Sequence, residues 1–142
     1  MLFRSAFYVA CGNDKPNNFT YSPPAESTWV GWYAAAKGFD GFLRWAYNSW
    51  VENPLYDTRH VAFPAGDCFM VYPGARSSVR FEHLRDGIED FEKIMILKKK
   101  LKGRDLKMLQ DTLASLSYPQ EPGCSETISA ARKVLVELSR KK

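Results

Sequence analysis

The chain has 142 residues, of which 45% are hydrophobic and 14% aromatic, and its formal net charge is +4 at pH 7. This length fits one domain with a modest core, and the apolar content excludes an intrinsically disordered chain. No apolar run approaches the roughly 20 residues that cross a bilayer, and the apolar stretch near the N-terminus, broken by Arg4, lacks the layout of a signal peptide.

The distribution of charge and the spacing of the cysteines bear on whether the chain binds nucleic acid or metal. Residues 76–142 hold 15 basic and 10 acidic residues, whereas residues 1–75 hold 5 and 6. Because the aromatic residues are not interleaved with the basic ones, the excess indicates solvated lysine faces rather than a nucleic-acid platform. Cys11, Cys68 and Cys124 do not have the spacing of metal ligands, so we expect buried free thiols. A single disulfide between two of them is an alternative that the sequence leaves open. No cofactor or metal motif is present.

The first 47 residues predict a strand–helix–strand unit of parallel α/β type. Residues 5–11 form a short apolar strand, and a polar loop with three asparagines follows. Ser22 is the expected cap of a helix that runs to Lys37 and ends at Gly38. Helical spacing puts one aromatic face on this helix, made of Trp29, Trp32, Tyr33 and Ala36.

The segment FDGFLRWAYNSW, residues 39–50, carries the most chemistry. Residues 42–47 predict a buried strand, and its end presents Trp45, Tyr47, Asn48 and Trp50. Flat aromatic faces beside amide and hydroxyl groups suit a ligand that is half apolar and half polar, such as a sugar ring. The alternative is that the three aromatic residues are core packing, and the residues alone leave both open.

Two loops leave the carboxyl ends of the predicted strands, where ligands bind in parallel α/β folds. The loop at residues 48–66 is longer than compact domains usually keep without a function. It contributes Asp57 and Arg59 as weaker site candidates, and the first loop contributes Asn18 and Tyr21. His60 has no identifiable partner and is not counted as a candidate.

The second half predicts a strand at residues 67–72 followed by three helices. Ser77 or Ser78 caps the first, and Gly87 within it indicates close packing. The adjacent Glu89 and Asp90 are expected to be solvated. The apolar stripe of this helix is Phe81, Leu84, Ile88, Phe91 and Met95.

The last two helices are predicted from leucine-rich stripes and form a small cap. The first stripe is Leu106, Leu109, Leu113 and Leu116, bounded by Gly103 and Pro119; the second is Ile128, Ala131, Leu135 and Leu138, preceded by Pro122 and Gly123. Residues 1–75 are thus expected to be a strand–helix–strand unit with site loops, and residues 76–142 a long helix with a helical cap, packed as one compact unit.

Two segments carry a family resemblance: residues 15–50, which include LRWAYNSW, and residues 64–94, which include VYPGARSSVRFEHLRDGIED. Together they resemble the C-terminal part of bacterial proteins of glycoside hydrolase family 123 and its relatives, a segment long described as a domain of unknown function. The resemblance spans residues 7–97.

This resemblance implies the C-terminal portion of a TIM-type (β/α)8 barrel, about its last two strand–helix units, in an exported enzyme of the periplasm or cell surface. It also implies substrate-assisted hydrolysis of β-linked N-acetylgalactosamine, with a neighbouring Asp–Glu pair. No Asp is followed directly by Glu in this chain. We therefore expect the chain alone to be inactive while its parent protein is a glycoside hydrolase.

In that enzyme, Trp45, Tyr47, Asn48 and Trp50 are expected to line the sugar pocket, with Trp stacking and Tyr and Asn forming hydrogen bonds. The alternative is a non-catalytic carbohydrate-binding or protein-interaction module. The expected partners are carbohydrate and either the missing N-terminal part of the barrel or a second copy paired through exposed strand edges.

Overall fold

The computed structural model describes residues 4–12, 15–117 and 124–141. In this part of the chain, two short strands and four helices follow one another. They are β1 (Ala6–Val9), α1 (Pro24–Lys37), β2 (Gly41–Arg44), α2 (Val79–Lys100), α3 (Gly103–Ala114) and α4 (Cys124–Ser139). The strands are parallel, with Ala6 opposite Gly41 and Val9 opposite Arg44. The predicted strand–helix–strand unit is confirmed, although both strands are shorter than expected.

The prediction of a TIM-type barrel portion is wrong. Over the described residues the sheet has two strands, and residues 67–72 form a turn, a bend and two isolated bridges instead of a third strand. The amides of Asp67 and Phe69 donate to the nearby carbonyls of Pro64 and Gly66, so they are not available to a neighbouring strand. Gly66 has φ +81°, a left-handed conformation that starts the turn rather than a pleat.

Helix α1 is the central helix of the fold. It begins after Pro23 and has no side-chain cap, so the expected Ser22 cap is wrong, and it ends at Gly38 with φ +77° as predicted. Trp29 and Trp32 are fully buried, which confirms the aromatic face. The indole nitrogen of Trp29 donates to the carbonyl of Leu116 at 2.8 Å.

Helices α1 and α2 approach closely through glycine. A Cβ on Gly31 would lie 2.0 Å from the carbonyl oxygen of Gly87, and a Cβ on Gly87 would lie 2.4 Å from that of Thr28. Both distances are far inside van der Waals contact, so any side chain would push the helices apart. The close packing predicted at Gly87 is confirmed.

Ser78, one of the two predicted caps, caps helix α2. The face that this helix turns to the core differs from the predicted apolar stripe. Its buried residues are Arg80, Leu84, Gly87, Asp90, Ile94 and Leu97. Ile88, placed in the predicted stripe, is 49% exposed. Since Gly87 must face α1, the stripe is rotated toward it, and Asp90 enters the core. The prediction that Asp90 is solvated is therefore wrong.

The two C-terminal helices have the predicted buried faces, except that Leu106 is only partly buried and Leu116 lies just beyond the end of α3. Leu109, Leu113 and Leu116 join Trp29 and Trp32 in the main core, and so do Ile128, Ala131, Leu135 and Leu138 from α4. The bounds predicted at Pro119, Pro122 and Gly123 lie outside the described residues.

The three cysteines are free thiols, of which Cys11 is exposed, contrary to expectation, and Cys68 and Cys124 are buried. The division at residue 75 stays a prediction. No helix in the described ranges has the length and apolarity needed to cross a membrane.

Candidate functional site

A buried carboxylate lies where β2 ends, at the carboxyl edge of the sheet. Asp67 is fully buried, and its Oδ1 accepts a hydrogen bond from Arg44 Nη2 at 2.8 Å. The same Nη2 donates to the backbone oxygen of Asp67 at 2.9 Å. The Oδ2 of Asp67 accepts from the indole Nε1 of Trp45 at 3.1 Å. Both carboxylate oxygens are therefore used, one by a charged donor and one by an aromatic side chain.

Asn17 connects this carboxylate to the first loop and to α1. Its Nδ2 donates to the carbonyl of Ala10, just after β1, at 3.0 Å. Its Oδ1 accepts from Arg44 Nη1 at 3.3 Å and from the amide of Asn18 at 2.8 Å. Its backbone N–H donates to Glu26 Oε2 at 3.0 Å. One buried asparagine thus joins both strand ends to the first turn of the helix.

Asn18, a predicted site residue, belongs to the same buried network. Its Nδ2 donates to Ser27 Oγ at 2.7 Å, and its backbone oxygen accepts from Arg80 Nη1 at 2.6 Å. Arg80 also donates to the carbonyl of Gly66 at 2.8 Å, with its guanidinium 5.5 Å from the ring centre of Phe69. Because the Asn18 side chain is fully buried, it shapes the loops and presents no surface to a ligand in this conformation.

Burial changes the ionisation of this network. Desolvation raises the pKa of Glu26, against the lowering effects of the Asn17 amide and of Lys15. Desolvation also lowers the pKa of Arg44, a shift opposed by the nearby charge of Asp67. The pKa of Arg80 is lowered by burial as well. These charges are held in place by specific partners, as buried polar groups require.

The aromatic residues at the end of β2 form an exposed surface. Trp45, Tyr47 and Trp50 are 40%, 52% and 43% exposed, so the alternative that they are core residues is wrong. The predicted strand is also not buried, since Leu43 within it is 56% exposed. We call Trp45, Tyr47, Asn48 and Trp50 the aromatic surface.

Each ring of the aromatic surface is fixed at one edge. Trp45 contacts Phe63 with ring centres 5.1 Å apart, and Tyr47 meets Phe81 edge-on at 5.9 Å. The indole nitrogen of Trp50 donates to the carbonyl of Val71 at 2.8 Å. A ring that is half exposed and held at one edge can offer the remainder of its surface to a ligand without losing much conformational freedom.

Backbone pairing fixes the segment that carries Asn48. The carbonyl of Tyr47 accepts from the amide of Met70 at 2.7 Å, and the amide of Ser49 donates to the carbonyl of Cys68 at 3.0 Å. Asn48 and Phe69 form an isolated antiparallel bridge. The side chain of Asn48 is exposed, with an amide donor and acceptor available.

The remaining candidates lie on the flanking loops. Tyr21 is exposed and stacks on Phe19 with ring centres 5.1 Å apart. Asp57 and Arg59 form an exposed ion pair of 2.6 Å, and hydrogen bonds from Arg59 lower the pKa of Asp57 to about 2. This pair is only two residues apart in sequence and folds the loop onto itself.

The sequence matches a family model described as the catalytic domain of glycoside hydrolase 123 over residues 3–97. The chain belongs to glycoside hydrolase family 123. The resemblance seen in the sequence is confirmed. The match covers β1, α1, β2 and most of α2, and therefore the whole aromatic surface with its buried network.

A solved family 123 structure is similar to this chain in fold. It is a glycoside hydrolase from Clostridium perfringens, described in connection with glycolipid glycan hydrolysis, with 29% sequence identity and a TM-score of 0.77. The similarity covers 93% of this chain and 26% of that one, so the chain spans about a quarter of its relative's length. No curated protein matches the chain.

Several residues of the candidate site were not singled out from the sequence. Arg44 and Asp67 are charged residues inside otherwise apolar runs, and that placement is a signal of buried pairing. Phe63 packs on Trp45, and His60, which was set aside, lies 5.0 Å from Phe63 between ring centres. His60 therefore belongs to a row of rings that extends from Trp45.

Two other features of this family 123 chain lie outside the aromatic surface. A cleft of about 950 Å³ between α1, α2 and α4 is lined by residues including Thr28, His83, Ser129 and Arg132, and by none of the predicted site residues. Within the described residues, no group of three or more His, Cys, Asp or Glu side chains is arranged to hold a metal ion.

Proposed function

We propose that this chain is the C-terminal segment of a family 123 glycoside hydrolase and that it supplies one side of the sugar-binding site. The observation that carries the proposal is the aromatic surface itself. Trp45 and Trp50 are half exposed, yet the indole N–H of each is already bonded to the protein. Exposed aromatic residues that cluster beside polar groups are a feature of ligand-binding and partner-binding surfaces.

The chemistry of the aromatic surface suits a pyranose ring. The C–H groups on one face of a sugar pack on an indole ring, while its hydroxyl groups need polar partners. Tyr47 offers a hydroxyl and Asn48 an amide, and both side chains are exposed beside the tryptophans. Since the segment is fixed to residues 68–70 by backbone hydrogen bonds, these groups are preorganised for binding.

The substrate we propose is a β-linked N-acetylgalactosamine residue. Family membership supports it, since the resemblance found in the sequence implies this sugar. The Clostridium perfringens relative is described by its hydrolysis of glycolipid glycans, which is consistent with a terminal amino sugar. The acetamido group is a planar amide that Asn48 can pair with through both its donor and its acceptor.

We also propose that this chain does not perform the bond cleavage by itself. The mechanism implied by the resemblance needs adjacent Asp and Glu carboxylates, in that order, and the 142 residues contain no such pair. Glu89 and Asp90 are adjacent in the reverse order, and Asp90 is buried between helices, where it cannot reach a sugar. The chain therefore contributes binding, and the acid and the acetamide-orienting carboxylate belong to another part of the enzyme.

Protein is the second partner that we propose. Tyr8 and Leu43 are opposite each other in the parallel register, and they are 48% and 56% exposed. Over the described residues, each strand has one edge without a strand partner. A further segment of the parent enzyme or a second copy of this chain would cover them, which is also the contact that an interaction module would use.

Calorimetric titration of the chain with N-acetylgalactosamine tests the sugar proposal. We expect saturable binding that is lost in W45A and retained in Y56A, a control that removes an exposed aromatic ring outside the aromatic surface. Equal binding by W45A and the unmodified chain would contradict the proposal. Release of nitrophenol from a nitrophenyl N-acetylgalactosaminide by the chain would contradict its non-catalytic part.

A further inference from the structure

Asp67 holds its two donors at opposite oxygens. Arg44 Nη2 occupies Oδ1 at 2.8 Å, and Trp45 Nε1 occupies Oδ2 at 3.1 Å. Arg44 also donates to the Asp67 backbone oxygen, so the guanidinium contacts both the side chain and the main chain of the same residue. The two bonds from Arg44 fix the plane of the Asp67 carboxylate. The direction of Oδ2 toward the Trp45 indole is therefore fixed as well.

Trp45 depends on Asp67 in a way that the other exposed tryptophan does not. Trp50 donates its indole hydrogen to the carbonyl of Val71, a backbone group present whatever the side chain there. Trp45 donates to a side chain on a turn 22 residues further along the chain. Its other fixed contact is the ring of Phe63, which restrains position but supplies no directional bond.

We propose that Asp67 is a positioning residue for sugar binding: it orients the indole ring of Trp45, and Arg44 holds it in place to do so. The part that concerns sugar rests on the proposed function. Asp67 does not contact the ligand, because it is fully buried behind Trp45. The charged acceptor makes the indole bond stronger than one to a neutral oxygen, which suits a ring that is 40% exposed.

The alternative is that Asp67 only neutralises the buried charge of Arg44. The substitution D67N separates the two roles, because asparagine has one acceptor oxygen and one amide donor. The guanidinium binds the oxygen more strongly, so the amide is turned toward the indole N–H. Two donors then face each other, and Trp45 loses its bond while Arg44 keeps one.

The experiment compares the unmodified chain with D67N, W45F, the double variant and D105N. Asp105 is a matched control, because its ion pair with Lys141 is exposed and lies on the helical cap. The readouts are the indole ¹H–¹⁵N resonances and the dissociation constant for N-acetylgalactosamine. We expect D67N to shift the Trp45 resonance alone and to weaken binding about 5- to 10-fold, as for the loss of one hydrogen bond. D105N should change neither.

The double variant decides whether Asp67 acts through Trp45. If it does, D67N has no further effect on sugar binding in the W45F background, which lacks the indole N–H. An equal loss in both backgrounds, or an unchanged Trp45 resonance in D67N, would overturn the proposal. The resonances of the buried Trp29 and Trp32 report whether each variant is folded.

A second variant covers the case in which D67N does not fold. R44K keeps a positive charge but lacks the planar guanidinium that bonds Asp67 through Nη2 and Asn17 through Nη1. We therefore expect a smaller shift of the Trp45 resonance than in D67N and binding weaker by about 2- to 5-fold. An unchanged Trp45 resonance in R44K would overturn the proposal. If the unmodified chain does not respond to sugar at all, the proposed function fails, whereas the orienting bond is still decided by the indole resonances.

Discussion

The indole nitrogen of Trp32 donates to Asp90 Oδ2 at 3.0 Å inside the helical core. Arg132 Nε forms an ion pair with the same carboxylate at 2.9 Å, so one residue of α2 joins α1 to α4. Asp90 is almost fully buried, and burial raises its pKa against the effects of Trp32 and Arg132. This polar contact joins three helices that pack around the main apolar cluster.

Removing the Asp90 carboxylate should destabilise the fold. We expect D90A to lower the free energy of unfolding by about 2–4 kcal/mol, because the Trp32 indole loses its buried acceptor and Arg132 loses its ion-pair partner. D90N should cost less, since its oxygen can still accept from Trp32. Urea unfolding monitored by circular dichroism measures both, and equal losses in the two variants would contradict the role of the indole bond.

The contact between α1 and α2 should not tolerate a side chain at Gly87. A methyl group there would meet the carbonyl oxygen of Thr28 at 2.4 Å, so we expect G87A to cost about 2–3 kcal/mol through forced separation of the helices. G41A is the matched control, because nothing lies within 4 Å of its Cβ. Thermal unfolding of both variants tests this, and a similar stability for the two would refute the close contact.

The helical half of the fold was largely predictable from sequence, because helix periodicity and end signals are local. Gly38 and Ser78 mark helix ends, and the stripes of α3 and α4 follow from leucine spacing alone. The predicted rotation of α2 was wrong because Gly87 and Asp90 face the core. Neither is apolar in a hydropathy pattern, and both are explained by their partners on α1.

The candidate site was predictable in its exposed part and, within the buried network, only at Asn18. The aromatic and polar composition of the segment around Trp45 identifies it in the sequence. The bond from Trp45 to Asp67, by contrast, joins residues 22 apart, and the sequence predicts a strand where Asp67 lies on a turn. The prediction of a third strand at residues 67–72 failed for the same reason. An apolar run beside Gly66 is compatible with either a strand or a set of buried turns, and long-range hydrogen bonds decide between them.

Glu26 should make stability depend on pH. Its pKa is raised in the folded state by burial, so the folded chain binds more protons than the unfolded chain above the ordinary value of 4.5. The stability that Glu26 contributes is therefore fully present below pH 4.5 and is lost as the pH rises through the raised pKa. E26Q keeps an acceptor for the Asn17 amide and should lack this loss. Parallel stability curves for the two chains between about pH 4 and 7, the range that lies above the ordinary Glu pKa, would contradict the assignment.

The exposed sheet face should promote self-association of the isolated chain. Tyr8 and Leu43 present adjacent apolar surface next to unpaired strand edges, so we expect a dimer or larger species in light scattering. L43E should shift the chain toward monomer. V61E is the control, since Val61 is a fully exposed apolar residue on the loop. An unmodified chain that is monomeric at high concentration would rule out this contact.

The most direct measurement of the central claim is an indole ¹H–¹⁵N spectrum recorded during titration with N-acetylgalactosamine. The chain has four tryptophans, of which Trp29 and Trp32 are fully buried and serve as internal controls. The account predicts saturable shifts of the Trp45 and Trp50 resonances with the other two unchanged. Resonances that do not move, or that move equally for buried and exposed tryptophans, would contradict a sugar site on the aromatic surface.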